Sequence, residues 1–147
     1  MMARDLEFSG KRIARAMNST ERDEKFQRGV LHFNAQEFFE AHEVWEEIWL
    51  LESEPERTFL QGIIQIAAAF HHYCRANSDG AESLLAAGIV KLSRFPAHHR
   101  GLAIDELRTA AKRWARSIGE GHKSDHAEIP QLRWSKALPP KSSRGDD

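Results

Sequence analysis

The sequence predicts an all-α fold, a single-domain bundle of about five helices with an extended C-terminal tail. Three observations carry this expectation. Apolar residues recur at three-four spacing in successive windows. Helix-start residues recur between those windows. No window alternates like a strand, apart from a short tail at Ile129-Pro130-Gln131-Leu132-Arg133-Trp134. A chain of 147 residues, 41% hydrophobic and 29% charged, is long enough to bury one core without staples.

The elements follow in order. A first helix is expected over 21–33. Asn34 and Glu37 have capping-box spacing and open a second helix over 36–51. Ser53 and Glu56 repeat the spacing, with Pro55 in the tolerated first turn, and open a third over 55–76. Asp79 and Glu82 open a fourth over 80–94, which Arg94-Phe95-Pro96 ends, because a residue before proline is pushed out of the helical region. The fourth is rich in small residues, and Gly88 in its interior implies a close helix approach. A fifth over 101–118 carries Leu107, Ala111, Trp114 and Ile118 as one apolar stripe. The expected layout is a flexible segment at 1–18, the bundle at 19–120, a tail packed on it at 121–138 with Trp134 in a groove, and a disordered end at 139–147.

Charge excludes some functions. The net charge of −1 argues against a binder of nucleic acid, and Trp114 between Lys112, Arg113 and Arg116 belongs to the apolar stripe. Residues 35–60 hold eight acids and one base, while the C-terminal end is mildly basic, so head-to-tail homo-oligomerisation is one expectation. From Thr58 to Cys74 no residue is charged, yet the run is too short and too rich in Gln and His to span a membrane. The start lacks an apolar secretory core, and the single Cys74, read as a core thiol, allows no intrachain disulfide, so the expected location is the cytoplasm. His98, His99, His122 and His126 fall in expected loops and read as solvent-exposed.

The two central helices hold the candidate site. On the second, Phe38, His42, Trp45 and Trp49 form one seam, and Ala41, Val44, Ile48 and Leu51 a second. His42 lies within the first seam, Glu46 at the edge of the buried face, and Glu40 and Glu47 on the solvated side. On the third, Gln61, Gln65 and His72 share a stripe with Ala68 between them. Uncharged amides and an imidazole on a helix without Lys, Glu or Arg suit a buried polar network.

The run from Phe33 to Glu46, FNAQEFFEAHEVWE, and the run from Phe59 to His72, FLQGIIQIAAAFHH, resemble the two blocks of a small helical family catalogued as domain of unknown function 309. The resemblance spans roughly Phe26 to Phe95 and includes Gly80-Ala81 and Leu84-Leu85. It implies an all-helical bundle and brings no reaction. The residues its motif highlights are Glu40, His42, Glu43, Glu46, Gln61, Gln65 and His72.

These residues admit three chemistries. A hydrogen-bonded network of His42, Gln61, Gln65 and His72 would fix helix register. The same residues could line a pocket for a small polar ligand, walled by Trp45 or Trp49. The third is a metal-dependent hydrolase. His42-Glu43-Val44-Trp45-Glu46 resembles the zinc-protease spacing, with Glu46 where the second His should stand. A divalent metal held by His42, Glu46 and His72 would leave Glu43 as base. The resulting expectation is a binding or interaction module, for a small polar ligand or a protein partner, with the hydrolase as the alternative.

Overall fold

The computed structural model describes residues 17–135. Five helices follow in order: α1 (Ser19–Asn34), α2 (Phe38–Trp49), α3 (Glu56–Cys74), α4 (Ser78–Leu92) and α5 (Ile104–Gly119). A two-residue hairpin, β1 (His98–His99) and β2 (Leu102–Ala103), precedes α5. The all-α bundle read from the sequence is the fold. Most of the segment expected to be flexible, and all of 139–147, lie outside the described residues. Met17 is already buried, however, and Asn18 caps α1.

The helix starts differ from their expected caps. Asn18 accepts from the Glu21 amide at 2.8 Å and donates its own amide to Glu21 Oε1 at 3.2 Å, a complete capping box. At α2 and α3 the N-cap residues, Glu37 and Pro55, make no side-chain cap bond, although Glu54 accepts from the Thr58 amide at 3.0 Å in the first turn of α3. Asn34 and Glu56 have the right chemistry but spend it on distant partners. Asn77, two residues before the expected Asp79, caps α4 by accepting from the Gly80 amide at 3.0 Å.

The ends of the first and third helices fall within two residues of the expected stops. After α1, the Gln36 amide donates to Phe33 O (2.9 Å) and the Glu37 amide to His32 O (2.8 Å), with Gln36 at φ 61°. After α3, Ala76 and Asn77 repeat this at 3.0 and 2.8 Å, with Ala76 at φ 64°. Both are Schellman turns, in which glycine is the usual left-handed residue. A side chain there costs about 1–2 kcal/mol.

Each helix packs on the next, which puts α3 between α2 and α4. Phe33, Trp45, Ile48, Phe59, Leu60, Ile64 and Phe70 are fully buried at the centre. Trp45 lies over Gly29 of α1 and donates its indole N–H to Phe26 O at 3.2 Å. A Cβ at Gly29 would stand 2.1 Å from that indole nitrogen. The small residues of α4 do bring it close to α3: a Cβ at Gly88 would sit 2.9 Å from Gly62 O. The stripe on α5 is buried throughout, at Leu107, Ala111, Trp114 and Ile118.

The C-terminal tail lies extended on the bundle. Ile129 and Leu132 are buried, whereas Trp134 is only half-buried, edge-on to Phe26 at 6.4 Å. The apolar anchors are thus the two aliphatic residues. The tail backbone also holds Trp134 beside Leu102 as a β-bridge, and Ala103 donates to Arg133 O at 2.9 Å. Asn34 grips Leu132 from both sides, donating to its carbonyl (3.0 Å) and accepting from its amide (2.7 Å).

Two histidine and cysteine expectations need correction. His99 is half-buried, packed on Phe59 and Phe95 with its Nε2 2.7 Å from Glu56 Oε2. Cys74 is exposed at the end of α3, next to the buried Tyr73.

Candidate functional site

The site is built on the buried face of α2 where it meets α3. That face buries Phe38, Ala41, His42, Trp45, Glu46 and Ile48. The apolar members follow from three-four spacing. Glu46 does not: it was expected at the edge, yet it is 1% exposed, more deeply buried than His42 at 7%. His42 and Glu46 are one helical turn apart, and His42 Nε2 lies 3.0 Å from Glu46 Oε2. The two polar atoms are in contact at this distance. The alignment falls short of a hydrogen bond, so Oε2 has no aligned donor.

Among the described residues, three buried side-chain polar atoms lack a hydrogen-bond partner in the protein: His42 Nδ1, Glu46 Oε2 and Gln65 Oε1. All three sit on α2 and α3. An unsatisfied buried polar atom costs about 1–3 kcal/mol, so three on one pair of helices need a physical reason.

The α3 side differs from the sequence reading by one residue. His72 points its Nδ1 at Asn77 Nδ2, 3.0 Å away, and so serves the turn after α3. The neighbouring His71 faces the site instead. Phe39 stacks on His42 with ring centroids 5.7 Å apart and meets His71 at 5.5 Å. Burial, then the nearby His72, Arg75 and His42, holds the His71 imidazole below its usual titration range, against the pull of Glu40. Gln61 and Gln65 are half-buried, and Glu40 and Glu43 exposed.

The metal reading lacks its ligand set. Among the described residues no three His, Cys, Asp or Glu side chains gather as a metal centre needs. Only His42 and Glu46 of the expected three come together, while His72 is engaged elsewhere. Sequence reasoning missed Phe39 and His71. Phe39 is 44% exposed although aromatic, and the adjacent His71-His72 pair left the helical phase ambiguous.

Two clefts lie away from this site. One of about 370 Å³ is lined by Arg113, Trp114, Arg116, Ser117, Glu120, Ser124 and Glu128. Another of about 420 Å³ lies among Glu54, Pro55, Thr58, Arg94 and Phe95.

An all-α bundle with a buried His–Glu pair on its second helix is the class that fold and site define. Within it, residues 26–84 match the model of the family described as Domain of unknown function (DUF309). The match runs from the middle of α1 to the middle of α4, over both sequence blocks, and ends at Leu84, short of Phe95. An uncharacterized protein of Aquifex aeolicus (strain VF5) is 24% identical over 97 residues, 65% of this chain and 29% of that protein. The uncharacterized protein YpuF of Bacillus subtilis (strain 168) is 36% identical over 80 residues, 53% of this chain and 43% of that one. The matched stretch thus spans less than half of either relative. None of these descriptions assigns a reaction. No helix among the described residues is long and apolar enough to cross a membrane.

Proposed function

We propose that this protein is a binding module whose polar site between α2 and α3 takes a small polar ligand. The observation that carries the reading is the set of three buried polar atoms that make no hydrogen bond, all on these two helices. A fold that needed only a register-fixing network would satisfy its members. A binding site leaves them for the ligand. In this reading Glu46 and His42 are its floor and Gln65 its contribution from α3; Phe39 and His71 flank His42, and Glu40 and Glu43 are exposed acids on the same helix. Gln61 extends the polar stripe of α3, and His72 belongs to the adjoining turn. The bundle of 19–120, with the described tail to 135 packed against it, acts as one unit in this reading. The cytoplasm is its proposed location, since the lone Cys74 suits a reducing compartment.

A shift-mapped fragment screen on isotope-labelled protein tests the proposal. Small polar compounds should perturb His42, Trp45, Glu46 and Gln65 together. Binders found solely at the Arg113–Arg116 cleft, or none at all, would reject it.

A further inference from the structure

The cleft at the C-terminal end of α5 lies outside the stretch that matches the family, which ends at Leu84. Its volume of about 370 Å³ is enough for a small molecule. One wall is helical: Arg113, Arg116, Ser117 and Glu120 recur at three-four spacing and so share a face of α5. The other wall carries Ser124 and Glu128, and its backbone is tied down. The Tyr73 hydroxyl donates to Ser124 O at 3.0 Å and accepts from the Ser124 amide at 2.9 Å. The buried Trp114, which also lines the cleft, donates its indole N–H to Glu128 O at 3.3 Å. The side chains of both walls are free by contrast. Among the described residues, the Arg113 and Arg116 guanidiniums, the Ser117 and Ser124 hydroxyls and the Glu128 carboxylate make no hydrogen bond or ion pair. Arg116 and Glu120 have the spacing of a helical ion pair, yet Glu120 lies 3.6 Å from His122 Nδ1 instead.

Two guanidinium forks about one helical turn apart, with two hydroxyls on the same cleft, suit a phosphoryl group, whose three terminal oxygens take more donors than the two of a carboxylate. The charge around them has the matching sense. Residues 107–124 hold five bases, Arg108, Lys112, Arg113, Arg116 and Lys123, against the one acid Glu120. Glu120 and Glu128 would repel a bare anion, but their carboxylates accept hydrogen bonds from hydroxyls. We propose that the α5 cleft binds a small phosphate monoester of a hydroxylated molecule, its phosphoryl group on Arg113 and Arg116 and its hydroxyls on Glu120 and Glu128. Because the walls are already held by Tyr73 and Trp114, little of the site has to be ordered on binding. A long polyanion fits less well, since exposed acids bound the basic stretch, Asp105 and Glu106 at the start of α5 and Asp125 and Glu128 after it. This site is separate from the one on α2 and α3, and the two readings stand or fall independently.

The test is a shift titration of the full-length protein with glucose 6-phosphate and glycerol 3-phosphate, against glucose, inorganic phosphate and a single-stranded oligoribonucleotide. The two esters should move the Arg113 and Arg116 guanidinium signals, the Trp114 indole and the Ser124 amide saturably, at least one of them at least about tenfold more tightly than glucose or inorganic phosphate. The His42 ring signals should stay still. Arg113→Gln and Arg116→Gln should each weaken ester binding at least about tenfold, with the fold intact by amide spectrum, since both side chains are exposed. Glu128→Gln should cut the preference for ester over inorganic phosphate at least about threefold. Inorganic phosphate binding as tightly as both esters would overturn the inference, as would ester binding that both arginine variants leave unchanged. Oligoribonucleotide binding along residues 112–123 in preference to either ester would replace it with a polyanion surface. Silence of the cleft to both esters would end it and leave the reading of the α2–α3 site untouched.

Discussion

Asn34→Ala should loosen the C-terminal tail. The side chain makes two hydrogen bonds to Leu132, at 3.0 and 2.7 Å, across 98 residues of sequence. Each is worth about 1 kcal/mol net, and a Leu132 group left dry would add about 1–3 kcal/mol. The Gln131 side chain donates to the Asn34 backbone carbonyl, so that bond survives the change. The expected loss is about 2–3 kcal/mol. At roughly 2–4 °C per kcal/mol for a domain of this size, Tm should fall by about 4–12 °C. Thermal unfolding followed by circular dichroism reads this directly. The decisive arm is a double-mutant cycle with a chain truncated after Glu128. Without Leu132 there is nothing to hold, so Asn34→Ala should then cost under about 0.5 kcal/mol. Equal losses in both backgrounds would mean that Asn34 acts inside the bundle, as a cap on α2, and would refute the clamp.

Truncation after Glu128 alone should lower Tm clearly, because it removes the buried Ile129 and Leu132; an unchanged Tm would make the tail a passenger. Ala76→Gly should raise stability by up to about 1 kcal/mol in chemical denaturation, since φ 64° strains a side chain there. Gly29→Ala should destabilise by about 1–3 kcal/mol through overpacking on Trp45, whose indole lies 2.1 Å from the new Cβ position. The folded state favours neutral His71, so its stabilisation relative to an untitratable residue is complete above pH about 6.5 and is lost as pH falls through the lowered folded value. His71→Gln should therefore flatten stability against pH in that acid range, and an unchanged slope would count against it.

The sequence made the bundle legible because its cues are local. The stripe of α5 and the seams of α2 are three-four patterns, and Gly88 marks the close approach to α3. Cues with two physical meanings were not legible. Asn34 has the chemistry of a helix cap, but its partner is 98 residues away, where local spacing cannot point. Glu56 likewise turns to His99 rather than to its own helix start. The left-handed turns at Gln36 and Ala76 carry no glycine to announce them. In the site, His42 stood out because it interrupts an apolar seam. The burial of Glu46 depends on how α2 beds against its neighbours, and a residue at the edge of a helical face can go either way. The choice between His71 and His72 was a matter of 100° of helical phase, which only packing decides.

The claim most in need of trial is that Glu46 is retained for a ligand and not for the fold. Glu46→Met keeps the volume and removes the buried charge. Stability should be measured at pH 8, so that an imidazole deprived of its carboxylate carries no charge. Replacing buried ionic groups with apolar ones of similar size is often neutral or stabilising by about 1–4 kcal/mol. The expected result is an unchanged or higher Tm together with loss of fragment binding at His42 and Gln65. A fall in stability of more than about 2 kcal/mol, with binding at those residues retained, would contradict the account and make Glu46 a member of the structural core.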